Sequence, residues 1–281
     1  MIISIITVAF NAEKTIKKTL DSVRKIKDET IEYIIIDGNS TDCTCKILEE
    51  NQDIIDYYIS EKDNGIYDAI NKGIKAAHGE YTLFLAADDL IIPDAINEFL
   101  KSVKSDTDVW SGSIIYHNQY GYFVEESEED LDRLKRECSL RHPATFFKRE
   151  AFEKYGYYDS SFKCSGDREI FLRYYLKGAK FQVEKIPVEI FNVGGISTSN
   201  PMELPVKEGI IIEKKYGLYN SDFDKTNKKN EQRYKIKVSW LGRTISKLYY
   251  SKIGYKVISK VLHKPQNRIS EQQIKLIMKM E

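Results

Sequence analysis

Two carboxylates stand side by side at Asp88 and Asp89, just after the run EYTLFLA. Tyr81 to Ala86 reads as a buried strand. Adjacent carboxylates repel, and ending an apolar strand does not require both. They become stable together if they share a divalent cation. Carboxylate oxygens are hard ligands that suit Mg2+ or Mn2+, and such ions usually keep open positions for phosphate oxygens of a substrate. A cation there would neutralise charge that builds on a leaving diphosphate. The plain alternative is that Asp88 caps the following turn and Asp89 is solvated.

The surrounding sequence says where these acids sit. IISIITVAF reads as a strand and AEKTIKKTLDSVRKI as a helix with Ile16, Leu20 and Val23 on one face. IEYIIIDGNS is strand then turn, and DCTCKILEEN is a helix capped by Thr41 or Asp42. IDYYISE is a short strand, GIYDAINKGIKAAHG a helix closed by Gly79, and PDAINEFLKSV a helix with Pro93 near its first turn. Strand-helix alternation with apolar strands argues for a mostly parallel α/β sheet with helices on both faces. Ligands of such sheets bind beyond the carboxyl ends of the strands. Asp37, Asp63 and the Asp88/Asp89 pair all fall at or past those ends.

From about residue 107 the pattern changes. DVWSGSIIYHN and YGYFVEE read as a strand pair, EESEEDLDRLKRE as a solvated loop or surface helix, and KREAFEKYGYYD and DREIFLRYYLKG as helices. AKFQVEKIPVEIFN reads as paired strands. The chain divides into a body, 1–205, and a basic, mainly helical extension, 206–281.

The formal net charge of the 281 residues is zero, but it is unevenly placed: from Lys225 to Glu281 there are fifteen Lys or Arg against three acids. A basic tail on an acidic body suggests an anionic partner. Lys252, Lys256, Lys260 and Lys264 recur every four residues, beside apolar Leu241, Ile245, Leu248, Ile253, Val257 and Val261. That pattern suits an anionic membrane surface, a nucleic acid, or a helix docked on the body. The four cysteines form no CxxC pair, which argues against a zinc site or disulfide framework and for a reducing cytoplasm. The N-terminus lacks the basic region and cleavage site of a signal peptide, and no apolar run approaches the ~18 residues of a membrane span.

ISIITVAFNAEKTIKKTLDSV, EYIIIDGNSTDCT, EKDNGIYDAINKGIKAAHGEYTLFLAADD, HPATFF, SGDREIFLRY and GGIS occur in that order. Over residues 1 to 200 the chain thereby resembles the inverting nucleotide-sugar glycosyltransferases of family 2, with the GT-A fold. The resemblance implies transfer of a sugar from a nucleotide-sugar, UDP-linked, to a saccharide or undecaprenyl-linked saccharide in cell-surface glycan assembly. The place of action would be the cytoplasm or the inner face of the membrane. It implies that Thr7 and Ala9 line the base, that Asp37 accepts from uracil, and that Asp63 and Lys72 flank the nucleotide. Asp88 would contact ribose or assist the metal, and Asp89 would ligate Mn2+ or Mg2+. The family's motif is often Asp-any-Asp; here Ala87 replaces its first acid.

Inversion needs one general base on the acceptor side. The resemblance points to Asp167, with Gly166 standing where the family usually has another acid. Its bland reading is a helix N-cap. Glu169 is the fallback base, Arg173 a partner for a carboxylate, and His142 either lines the acceptor pocket or is packed. Asp37 reads equally as a turn cap and Lys72 as a surface lysine. A nucleotidyltransferase would show a glycine-rich N-terminal loop, which TVAFNAEK lacks. A sugar-nucleotide sensor without a base is the remaining alternative. The acidic body disfavours a nucleic-acid partner.

Overall fold

The computed structural model describes residues 2–118, 121–192, 203–220 and 268–279. The N-terminal half alternates as its sequence requires: β1 (Ile3–Ala9), α1 (Ile16–Arg24), β2 (Ile31–Asp37), α2 (Thr44–Glu49), β3 (Tyr57–Ser60), α3 (Ile66–Ala76) and β4 (Tyr81–Phe84). These strands pair in parallel in the order β3-β2-β1-β4. Every residue of β2 is buried, as expected of a strand covered on both faces. Alternate residues feed two cores. Ile3, Ile5, Tyr33 and Ile35 pack with α1 residues Ile16 and Leu20 on one face. Ile6, Ile34 and Ile36 pack with α3 residues Ile70 and Ile74 on the other. Each such side chain contributes roughly 1.5–3 kcal/mol by leaving water.

The second half departs from the parallel pattern. It comprises β5 (Leu90–Ile91), α4 (Ala95–Ser102), β6 (Val109–Asn118), β7 (Gly121–Glu125), β8 (Thr145–Lys148), α5 (Arg149–Tyr155), α6 (Gly166–Leu176) and β9 (Phe181–Asn192). β8 enters antiparallel between β4 and β6, and β6 and β7 form the expected antiparallel pair. β9 is one twelve-residue strand rather than two paired ones. Pro187 cannot donate to the ladder, and the chain answers with a register shift against β6 near Ser113 instead of a turn. The stretch expected to be a loop or surface helix folds as a 3-10 turn, Leu131–Lys135, anchored by buried Leu134.

α7 (Glu203–Lys215) follows, so residue 205 falls within a helix. β10 (Arg268–Ile269) pairs antiparallel with β7, and α8 (Glu271–Ile277) opens with a Ser270 capping box. Ile274 and Met278 are buried in the core, and Lys279 pairs with Asp94 at 2.7 Å. The end of the basic tail is thus docked on the body. The lysine series from Lys252 to Lys264 lies outside the described residues. No described helix is long and apolar enough to cross a membrane.

Gly79 does not close α3 through a left-handed cap. It is a close-approach glycine: its N–H donates to Ser4 Oγ at 2.8 Å, and Ser4 Oγ donates to buried Glu32 at 2.5 Å. A Cβ at Gly79 would lie 2.6 Å from the Ser4 backbone nitrogen. Gly79→Ala is therefore expected to cost about 1–3 kcal/mol. The readout is a lower urea midpoint at unchanged m value. An unchanged midpoint would show that the β1 backbone yields freely.

Candidate active site

The loops at the carboxyl ends of β1 and β2 are bonded to each other. Asn11 N–H donates to Ser40 Oγ at 2.8 Å, and Asn11 Oδ1 accepts from Thr41 N–H at 2.9 Å. Glu13 accepts from Cys43 N–H at 3.0 Å while Asp42 accepts from Glu13 N–H at 3.1 Å. Asp42 also accepts from Thr44 N–H, fixing the turn that leads into α2, whose N-cap position is Cys43 rather than Thr41 or Asp42. Asn11 and Asn39 hold positive φ, a region asparagine tolerates better than most residues.

Asp37 is fully buried inside this platform. It accepts from Ser40 N–H and Oγ at 2.9 and 2.5 Å, from Ser60 Oγ at 2.6 Å and from Cys45 Sγ at 3.4 Å. It holds the turn, as its plainer sequence reading has it. Asp63 accepts from Gly65 N–H at 2.8 Å. Its carboxylate also lies over Gly38, where a Cβ would meet Oδ2 at 2.6 Å. Thr7 and Ala9 are both buried, and Thr7 Oγ1 shares a 3.1 Å hydrogen bond with the Tyr33 hydroxyl. The residue that reaches solvent here is Phe10, 59% exposed, its ring edge 3.4 Å from the Gly38 Cβ position. Sequence reasoning passed over it; the available signal was an aromatic just past a strand end, where burial does not call for one. Lys72 stands apart. Its ammonium pairs with Glu61 at 2.7 Å and donates to the Lys62 carbonyl at 3.2 Å. It lines a shallow depression with Tyr57, Ile59 and His78 beside the β3 edge.

At the end of β4 the two acids part. Asp88 is partly exposed, and desolvation raises its carboxyl above the ordinary aspartate range. Asp89 is fully buried. Its Oδ1 accepts from Asn192 N–H at 2.7 Å, while its Oδ2 has no hydrogen-bond partner. Beside it, against the Asp89 carboxyl, lies Glu189 of β9, fully buried and with no donor to its carboxylate among the described residues. Burial, then the neighbouring Asp88 charge, pushes the Asp89 carboxyl well above its usual value, and burial, then the Asp89 charge, does the same to Glu189. Glu189 was not foreseen, although an acid between buried Val188 and Ile190 was a signal. A desolvated pair of adjacent carboxylates with an open oxygen fits a hard divalent cation. Among the described residues no cluster of three or more ligating side chains is assembled.

On the other flank α6 begins at Gly166, which has a physical reason: a Cβ there would strike the Tyr67 ring at 2.7 Å. The Tyr67 hydroxyl accepts from Asp167 N–H at 3.3 Å. Asn71, one turn further along α3, exchanges two hydrogen bonds with the Tyr158 backbone at 2.9 and 3.0 Å. The α3 motif GIYDAINKG thus ties the first half of the chain to the second.

The two candidate bases have different surroundings. Glu169 is fully buried and accepts from Arg173, Lys215 and the Tyr216 hydroxyl at 3.0, 2.9 and 2.5 Å. Burial alone would raise its carboxyl, but these donors outweigh it and hold it low. Arg173 also caps the carbonyls of Tyr155, Gly156 and Tyr157, so it pairs with a carboxylate as expected. Asp167 Oδ1 accepts from Arg168 N–H at 2.8 Å, and among the described residues its Oδ2 meets the Cys138 thiol at 3.9 Å. Burial raises its carboxyl, which moves it toward the range of a useful base. His142 stacks on Phe84 at 5.3 Å and shares a 2.7 Å hydrogen bond with the Tyr158 hydroxyl. Desolvation lowers it to about 4, so it is neutral at physiological pH. It is part of an aromatic floor with Phe147, Tyr158 and Phe171.

The family model for glycosyl transferase family 2 matches residues 4–174. An uncharacterized glycosyltransferase of Mycobacterium tuberculosis is 32% identical over 185 residues, spanning 61% of this chain and 68% of its own. Among solved structures, a Staphylococcus aureus TarS fragment, residues 1–349 with UDP-GlcNAc, superposes with a TM-score of 0.62 at 20% identity. It covers 75% of this chain, and this chain covers 66% of it, just under two thirds. The mannosyltransferase PcManGT of Pyrobaculum calidifontis, with GDP-Man and Mn2+, gives a TM-score of 0.59 at 14% identity over 93% of this chain and 79% of its own. At these identities the structural likeness is one of fold, and the GT-A arrangement expected from the sequence is present.

Glu169→Gln removes one partner from a buried ion pair, so stability at neutral pH is expected to fall by about 3–5 kcal/mol. Its carboxyl is held below the ordinary glutamate value. That contribution is therefore present above the ordinary value and lost as pH falls through the lowered one. Urea curves of wild type and variant should separate at pH 7 and converge at an acid pH below the lowered value. Equal separation at both pH values would show that Glu169 acts through packing.

Proposed function

The chain belongs to glycosyl transferase family 2 and is a glycosyltransferase, and we propose that it inverts the anomeric carbon of a UDP-sugar with Asp167 as general base. The observation that carries this reading is the division between the two acids of α6. Glu169 is locked among Arg173, Lys215 and Tyr216, while among the described residues Asp167 Oδ2 meets the neutral Cys138 thiol and forms no ion pair. The acceptor hydroxyl donates its proton to Asp167 Oδ2 as its oxygen attacks opposite the leaving diphosphate. Oδ1, fixed by Arg168 N–H, keeps the carboxylate oriented. The raised carboxyl makes Asp167 a stronger base than a solvated aspartate.

Exposed Phe10 supplies a ring face for the base, next to Gly38 and Asp63. Asp88, as the accessible acid, and Asp89 behind it would hold Mn2+ or Mg2+. When bound, that ion neutralises charge on the diphosphate. The bound UDP-GlcNAc in the TarS fragment supports a uridine donor, and the Mn2+ in the mannosyltransferase structure supports a divalent ion. The acceptor in this reading is a saccharide or lipid-linked saccharide of a growing glycan. The tail between Lys225 and Lys264 carries the basic residues that would meet an anionic membrane surface.

Asp167→Asn should lower turnover of the transferred sugar by about 10²- to 10⁴-fold and leave UDP binding by calorimetry within about twofold. A loss under threefold would remove Asp167 from the role. Asp88→Asn or Asp89→Asn, and chelation of wild type, should each abolish metal-stimulated hydrolysis of UDP-GlcNAc or UDP-glucose. Full activity in excess EDTA overturns the metal claim. Binding of GDP-mannose in preference to every UDP-sugar overturns the donor class.

A further inference from the structure

We propose that Glu208, on α7, is a positioning residue for Asp167: it clamps the backbone that leads into α6 and sets the charge around the base. The inference rests on the reading of Asp167 given above and concerns a residue more than forty positions away in sequence. The Glu208 side chain is almost fully buried. Its carboxylate accepts from three consecutive amides: Lys163 N–H at 2.6 Å, Cys164 N–H at 3.1 Å and Ser165 N–H at 2.8 Å. The Cys164 thiol donates to it as well, at 3.3 Å. These amides precede α6, where no residue of the chain segment itself caps the helix. An anion at this place meets both the open N–H groups and the positive end of the helix.

α7 grips the same turn at two further points. Glu213 forms a buried ion pair with Arg168, and Lys215 and Tyr216 hold Glu169. The turn is thus held at 163–165, at 168 and at 169. Between these anchors, among the described residues, Asp167 is held by the Arg168 amide, the Tyr67 hydroxyl and the Cys138 thiol. Lys163 extends the clamp across the site, since its ammonium donates to the Asn64 carbonyl at 2.6 Å. That bond links the loop carrying Asp63 to the loop carrying Asp167.

The groups that bear on the Asp167 carboxyl are Tyr67 of α3, the Cys138 thiol, Tyr158, Cys164, Arg168 and Glu208. The four thiols and phenols stay neutral, because burial raises each of them. The ionic neighbours are therefore Glu208, which raises Asp167, and Arg168, which lowers it. Removing the Glu208 charge lowers the pH at which Asp167 ionises, and the acid limb of the rate profile moves down with it. Loosening the clamp misplaces the base and lowers turnover without touching the donor.

The test uses the full-length chain. Glu208→Gln should reduce kcat for hydrolysis of UDP-GlcNAc or UDP-glucose by about tenfold or more, with KM for the donor unchanged. Carboxyl carbon NMR of Asp167 should show its titration shifted to lower pH. Glu208→Asp keeps the charge but shortens the reach, so it should lose turnover while keeping more of the wild-type titration. In an Asp167→Asn background, Glu208→Gln should have no further effect on kcat. If Asp167→Asn is inactive while Glu208→Gln matches wild type in kcat and titration, the positioning role is wrong and the base assignment stands. If Asp167→Asn is fully active, the base assignment itself fails. Should Glu208→Gln not fold, Glu208→Asp with wild-type kcat overturns the proposal, and reduced kcat at unchanged KM supports it.

Discussion

Negative charge taken out of water must be matched by donors or cations, and the way this chain matches its buried carboxylates organises its structure. Asp37 is met by two serines, a backbone amide and a thiol. Glu32 is met by Ser4 and by the amide and ring of His78. Glu169 has Arg173, Lys215 and Tyr216, and Glu208 has three amides. Asp89 and Glu189 are the exception, with open oxygens and carboxyls pushed toward the protonated form. Compensated acids build the scaffold. The Asp89–Glu189 pair, short of donors among the described residues, is driven toward the neutral, protonated form instead.

The sheet explains why the exception falls where it does. β4 ends beside β1, so Asp88 and Asp89 emerge at the carboxyl edge shared with Asp37 and the β3 loop. β9 then returns antiparallel to β5 and sets Glu189 across from Ile91. Three residues on, Asn192 donates its amide to Asp89 and its side chain to the Asp88 carbonyl at 2.6 Å. The strand that supplies the extra acid also pins the acid pair in place. On the far flank, the aromatic floor of Phe84, His142, Phe147 and Phe171 runs from β4 to α6 in unbroken ring contacts. Close packing of this kind keeps the two flanks in fixed relation.

Much of this was legible in the sequence, because the signals are local. Apolar runs of strand length fixed β1 to β4, helical spacing fixed α1 and α3, and the acids at strand ends marked the crevice edge. What was hidden depends on partners far apart in the chain. Asp37 looked able to face a ligand until Ser40, Ser60 and Cys45 were found around it. Lys72 has an ion-pair partner in Glu61 that its helical spacing does not announce. Gly166 looked like a lost acid, whereas the Tyr67 ring occupies the space a side chain would need. Pro187 looked like a break between two strands, but the long β6 ladder on either side carried the chain through it. Glu208 had no sequence signal at all, since its partners are backbone amides.

The boundary expected at residue 205 shows the same limit from another side. Composition changes there, and composition is what a linear reading sees. Yet α7 delivers Glu208, Glu213 and Lys215 to the turn that carries Asp167, so this piece of the extension is built into the body. The charge reversal itself begins at Lys225, outside the described residues. In the proposed reading, stability and chemistry are divided within α6 itself. Glu169 carries the ion pairs that hold the helix to α7, and that leaves Asp167, two residues earlier, free of them. An acid can be kept reactive only if its neighbours take over the work of holding the fold.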